Sequence, residues 1–500
     1  MLRASFLVLL SALFFLAGCR KDELFTDDPG ARLVLTADTV LFDTVFTTIG
    51  TVTKRFTVRN ENANAVRVDV ALEGGTPSPF RINVDGASGV AFNDVEILGG
   101  DSIFVFVEAT LGAGGVNTPF IIEDHILFNT NGNEQEVLLV AWGQDAHFFY
   151  PDQFIPGLPA FSYIAGGFDQ NGQQICETVQ WPNDKPYVIY GYGVVDSCSK
   201  LIIDPGVKVY MHGGAGLWIY KYGQIEALGT VTDRIVFQGD RLEPEYQDLP
   251  NQWDRIWINE GDLNSKLVNC EIRNALIGLQ AQTLPFTDGQ PLSNCTLELE
   301  NVRIENCLTA CLYTENYRIS AKNLLLSEAG QYAAVLTGSG QYTFDQVTIA
   351  NYWDLDIRQE PAFLLSNRFA DINGATQVRP IESSSFRNGI VYGNNGNEFK
   401  LDVDESANPL FTFEHFLVRT DQPTNAPVHF PVQSTIYRNL DPGFRDGPEG
   451  DLRLRSNALA KGKADPAPTV LLDIEGQQRP NFGDASDGFL PDLGCYEYYD

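Results

Sequence analysis

The chain has 500 residues, with 34 Lys plus Arg against 65 Asp plus Glu, a formal charge of 34 minus 65, or −31. A polymer this acidic is repelled by phosphate backbones, which excludes nucleic acid as a partner. Its 44% hydrophobic content supports real cores, its length suggests several domains, and its 45 Gly, 26 Pro, 51 Phe plus Tyr and two Met predict an all-β, turn-rich fold.

Arg3 precedes an apolar run from Phe6 to Leu16, the length of a signal-peptide core and too short to span a bilayer. The run ends in Leu16-Ala17-Gly18-Cys19. That ending resembles the lipobox of bacterial lipoproteins, which implies removal of residues 1–18 and acylation of the Cys19 thiol, the lipid then holding the product on the outer membrane. The next residues, Arg20-Lys21-Asp22-Glu23-Leu24, resemble the export signal with which some Gram-negative lineages display lipoproteins on the cell surface. Residues 19–31 serve as the tether.

From 32 to 147 short alternating runs follow one another. They include Arg55-Phe56-Thr57-Val58-Arg59, Val66-Arg67-Val68-Asp69-Val70 and Ser102-Ile103-Phe104-Val105-Phe106-Val107, broken at Asn60-Glu61-Asn62, Gly74-Gly75, Gly99-Gly100 and Asn131-Gly132-Asn133. Strands at such spacing predict an immunoglobulin-like β-sandwich, a stalk or docking module with no catalytic constellation. Residues 148–186 are expected to be a connector and N-terminal cap.

Beyond it the sequence repeats. Asn269-Cys270-Glu271-Ile272-Arg273-Asn274 aligns with Asn301-Val302-Arg303-Ile304-Glu305-Asn306, with Asn323-Leu324-Leu325-Leu326-Ser327-Glu328 and with Gln346-Val347-Thr348-Ile349-Ala350-Asn351. Each unit is a short strand closed by a polar turn residue, which cannot bury its apolar face alone but builds a core when stacked. Asn274, Asn306 and Asn351, with Glu328 breaking the series, suit a sharp left-handed corner where side-chain amides bond along the stack. This pattern resembles the right-handed parallel β-helix repeat family, which implies a β-helix over 187–440. The segment 441–500, with Asp473-Ile474-Glu475-Gly476-Gln477-Gln478-Arg479 and Pro491-Asp492-Leu493-Gly494-Cys495-Tyr496-Glu497-Tyr498, is similar to the capping ends of secreted β-helix proteins, with Cys495 where a small residue is usual.

Polysaccharide lyases and hydrolases occur in that family, but the Asn-Thr-Asp, Asp-Asp and Gly-His-Gly motifs of its pectin-type hydrolases are missing from the rungs. Chemistry instead concentrates between Asp240 and Asp262, where seven acids and two Arg surround three aromatic residues. Asp254, Glu245, Asp248 and Arg255 are the candidate catalytic groups for a glycosidase or lyase, in which one carboxyl protonates and another activates water or attacks. Asp240, Glu243 and Asp262 are candidate Ca²⁺ ligands, since that ion takes six to eight oxygens. Trp218 and Tyr220, opposite inward Leu217 and Ile219, and Trp257, on a neighbouring rung, are expected to form an aromatic face with Tyr246 for stacking on sugar rings. Of the seven cysteines beyond Cys19, Cys176 and Cys198 are the candidate disulfide. The reading is a surface-anchored β-helix protein that binds a polysaccharide or a surface protein without turnover, the alternative being a polysaccharide lyase or glycoside hydrolase. The local acidity disfavours a bare uronate polymer unless Ca²⁺ bridges it.

Overall fold

The computed structural model describes residues 24–46, 50–110, 120–284, 287 and 289–499. The signal segment and Cys19 lie outside the described residues. The chain divides into two units, Met1–Asp145 and Ala146–Asp500, and is all-β, with three short 3₁₀ turns as the only helical elements among the described residues.

The first unit is two five-stranded sheets. One orders Val34–Leu35, Lys54–Arg59, Ser102–Ala109, Phe80–Val84 and Ala87–Gly89, all antiparallel. The other orders Thr39–Phe46, Asn133–Gln144, Phe120–Thr130, Val66–Leu72 and Ala91–Ile97, antiparallel except for the parallel pair formed by Thr39–Phe46 and Asn133–Gln144. The two-residue period decides what is buried: Val66, Val68, Val70 and Leu72 point into a core shared with Phe56, Phe80, Val105 and Leu139, while Arg67 and Asp69 face water.

In the second unit 23 strands form one sheet, paired in parallel throughout. Over most of its length each strand bonds to the one three further along, so that three consecutive strands make one coil and strands align in three columns. Leu217, Ile219, Ile256, Ile258, Leu279 and Ala281 fill the interior of one column and meet Ile225, Leu267 and Phe237 of the other two. The stacking starts at His147–Phe149, Phe161–Ala165 and Thr178–Trp181, which pair with Tyr187–Ile189, Tyr192–Val195 and Lys200–Ile203. The stretch 148–186, expected as a connector, is therefore the first coil, and stacking begins before 187. A disulfide between Cys176 and Cys198, Cα atoms 5.1 Å apart, ties that coil to the next. Cys270, Cys295, Cys307, Cys311 and Cys495 are free and buried.

Corners explain the repeat. Asn274, Asn306 and Glu328 have φ of 66°, 56° and 52°, the left-handed region that Asn tolerates best among residues with a side chain, and Asn306 Nδ2 donates to Asn274 Oδ1 at 3.0 Å. Asn351 instead bridges the Ala329 backbone, donating to its carbonyl at 2.8 Å and accepting from its N–H at 3.2 Å. A second corner runs through Asn269, Asn301, Asn323, Gln346 and Asn388, all at positive φ, with Asn323 Nδ2 donating to Asn301 Oδ1 at 2.8 Å.

Residues from 441 onward lie along the flank of the stack. Phe444, Leu452, Leu454, Ile474, Leu493, Tyr496 and Tyr498 cover Leu325, Ala350, Ile390 and Leu417, which point outward from one column. Arg479 anchors this cover: fully buried, it pairs with Glu497 at 3.2 Å and reaches Asn323 Oδ1 at 3.1 Å. Asp473 accepts the N–H groups of Glu475, Gln477 and Glu497, and Asp492 accepts those of Gly462 and Tyr498, so these buried acids of the ending are spent on holding backbone.

Candidate functional site

The outward positions of one column carry aromatic and amide side chains in register. Strand register aligns Val194, Trp218, Trp257, Gln280, Tyr313, Val335 and Leu364 on successive coils. At about 4.8 Å per coil, the strip from Trp218 to Leu364 is about 24 Å long. Loops border it on both edges by their attachment to its strands. One edge has 240–252, which enters Trp253–Ile258, and 352–362, which enters Phe363–Ser366. The other has the segment after Ala275–Gln282 and that after Phe363–Ser366, and Arg379 joins these two by donating to the Thr287 carbonyl at 2.8 Å and to that of Gln290.

Trp218 and Trp257 stack with ring centroids 4.7 Å apart and planes 10° from parallel, because register sets them directly above one another. Trp218 is only 5% exposed, which corrects the expectation of an open ring: Tyr192, Val194 and Tyr220 box it in, and its Nε1 donates to Asn259 Oδ1 at 2.7 Å. Trp257 is half-buried, and its own Nε1 finds no acceptor among the described residues. Gly216 makes room for the Tyr192 ring, since a Cβ there would lie 2.7 Å from it.

A hydrogen-bond chain runs beside these rings, drawing residues from four coils of the column. The Tyr192 hydroxyl donates to Asp254, which accepts from Arg255 Nε at 2.9 Å; Arg255 donates to Gln280, and Gln280 donates to Gln282. Gln282 Nε2 donates to Glu315 at 3.5 Å, and the Tyr313 hydroxyl donates to the same carboxyl at 2.6 Å. Burial pushes Tyr192 and Tyr313 well above the ordinary phenol range, with the adjacent carboxylates adding to it, so both keep their protons and act as donors. Burial also raises Glu315. Sequence reading found Asp254 and Arg255 but missed Gln280, Gln282, Tyr313 and Glu315, which are scattered along the chain and meet only through register.

The remaining candidates are placed elsewhere. Asp240 pairs with His212 at 2.7 Å, and Glu243 pairs with Arg241 at 3.1 Å. Arg241 also lies 3.6 Å over the Tyr246 ring, so Tyr246 is held on the border loop and does not extend the tryptophan stack. Glu245, Asp248 and Asp262 are exposed. Among the described residues no group of three or more His, Cys, Asp or Glu is placed to hold a metal ion, and Asp240 and Glu243 are paired with His212 and Arg241. The carboxyl-bearing residues of the strip, Asp254 and Glu315, stand two coils apart, about 10 Å along the stack. Paired glycosidase carboxyls stand about 5–5.5 Å or about 6.5–9.5 Å apart on one bond, whereas these two belong to strands two coils apart and are each taken up by side chains of the column.

No protein-family profile and no characterised protein sequence matches the chain. Solved structures match over about a fifth of it: the E. coli chaperone DraB (15% identity, 22% of this chain and 54% of that one, TM-score 0.17), the PapD-like domain 7 of human CEP192 (11%, 24% and 92%, 0.17) and a family 123 glycoside hydrolase from Clostridium perfringens (8%, 23% and 26%, 0.17). The chain thus spans about half the length of the chaperone and a quarter of the hydrolase.

Proposed function

We propose that this protein is an acylated outer-membrane surface protein in which an immunoglobulin-like sandwich carries a right-handed parallel β-helix, and that the aromatic strip of the helix binds a glycan without turning it over. The observation that carries the binding reading is the pairing of the Trp218–Trp257 stack with a continuous line of amides, hydroxyls and carboxyls in one bordered strip. Sugars offer an apolar ring face and a rim of hydroxyls, and such a surface meets both. The non-catalytic part rests on the separation of Asp254 from Glu315 and on the engagement of Asp254 with Tyr192 and Arg255. The anchor and its surface address rest on the lipobox-like ending at Cys19 and the tract after it. A glycan array probed with the full chain tests the binding reading: retention on a defined glycan class supports it, and silence across the array removes it. Incubation with the retained polysaccharide, followed for new reducing ends and unsaturated uronates, tests the absence of turnover.

A further inference from the structure

We propose that the ligand of this strip is a neutral polysaccharide, recognised through ring faces and hydroxyls and not through charge; this rests on the glycan reading above and narrows it.

The argument is a charge census of the strip and its borders. Asp254 is matched by Arg255 at 2.8 Å, Glu260 by Lys221 at 2.7 Å and Glu243 by Arg241 at 3.1 Å, and Asp240 is hydrogen-bonded to His212 at 2.7 Å. On the second border loop, Arg358 and Glu398 form a pair at 2.5 Å buried from solvent. The guanidinium of Arg379 is occupied by the Thr287 and Gln290 carbonyls. These cations are engaged within the chain; the exposed Lys400 stands in register one coil beyond Leu364, five coils and about 24 Å along the stack from Trp257. The loops 240–252 and 352–362 show acid to solvent, with Glu245, Asp248, Asp354 and Asp356 exposed, and on the opposite edge the exposed Arg368 is paired with Asp404 at 3.1 Å.

Recognition of a uronate, sulfate or phosphate needs an Arg or Lys free to approach it, and unscreened acids within a Debye length of about 10 Å repel a polyanion further. A bridging cation would relieve this, yet the described acids form no cluster able to hold one. Beside the paired Asp254 and Arg255, the strip turns outward the half-buried Trp257, Gln282 and Tyr313, all uncharged, and Glu315, whose carboxyl is taken up by the Tyr313 hydroxyl and Gln282.

The full chain should be titrated with neutral polymers (mixed-linkage β-glucan, xylan, mannan) and anionic ones (alginate, polygalacturonate, chondroitin sulfate), with CaCl₂ or EDTA. A neutral polymer is expected to bind with an affinity that changes less than about twofold between about 20 and about 300 mM NaCl, since no ion pair is screened. Trp257→Ala should weaken it at least about tenfold and Gln282→Ala about threefold or more, the second substitution leaving the ring stack in place. Binding of an anionic polymer that weakens with salt or EDTA and is lost in both variants would overturn neutrality while leaving the glycan reading intact. Silence with both classes would overturn the two together.

Discussion

Glu328 occupies a left-handed corner where the neighbouring coils place Asn, and its cost can be worked out. Its φ is 52°, it accepts the Tyr352 N–H at 3.3 Å, and burial, reinforced by Asp354 and Glu305, pushes its carboxyl up to about 7 from 4.5. Between those two values the folded chain keeps the proton and the unfolded chain has released it. Stability therefore falls as pH rises from about 4.5 to about 7 and stays reduced above. At about 1.4 kcal/mol for each pH unit, the loss at pH 8 is about 3 kcal/mol. Glu328→Gln removes the titration and keeps an acceptor for Tyr352; Glu328→Asn also restores the residue that best tolerates this corner. Both should match or slightly exceed the parent near pH 4.5 and exceed it by about 2–3 kcal/mol at pH 8. Urea unfolding followed by tryptophan fluorescence measures this in the right part of the molecule, because five of the six Trp lie beyond residue 146. An advantage equal at both pH values, or a parent protein more stable at pH 8, would refute the burial argument.

Replacing Cys176 and Cys198 by Ser opens a closure of 22 residues and should lower unfolding stability by about 3 kcal/mol, read from the urea midpoint under non-reducing conditions. Arg479→Ala leaves Glu497 uncompensated beside the buried Asp473 and Asp492, so the flanking C-terminal segment should loosen by about 3–5 kcal/mol and become the first site of limited proteolysis. Cys19→Ala should release the protein from the membrane fraction, and protease added to intact cells should digest the parent; an intact parent beside a digested lysate would argue against surface display.

Much of the architecture could be read from residues. Alternation in Val66–Leu72 gave its buried face, and alternation around Trp257 put it outward on a rung neighbouring Trp218, where the register places it. The same units carried a second corner that went unread: Asn269, Asn301, Asn323 and Gln346 begin each aligned unit, and their positive φ follows from the same preference as Asn274 and Asn306. The first coil escaped because its strands are three to five residues long and separated by irregular turns, so no period is visible. The C-terminal cover left a clue in Leu324-Leu325-Leu326, a continuous apolar run that signals burial on both faces of a strand. For the strip, the unread residues are a matter of loop length. Gln280 meets Tyr313 across 33 positions, and a register that depends on the size of an inserted loop has no local signature.

The account turns on whether the strip itself holds the ligand. Calorimetric titration of the parent chain and of Trp257→Ala with the best array polysaccharide measures this directly. The account predicts saturable binding by the parent and a loss of at least about tenfold in the variant, with the second unit of the variant still folded by circular dichroism. Equal affinity in a folded variant would place the ligand elsewhere and contradict it.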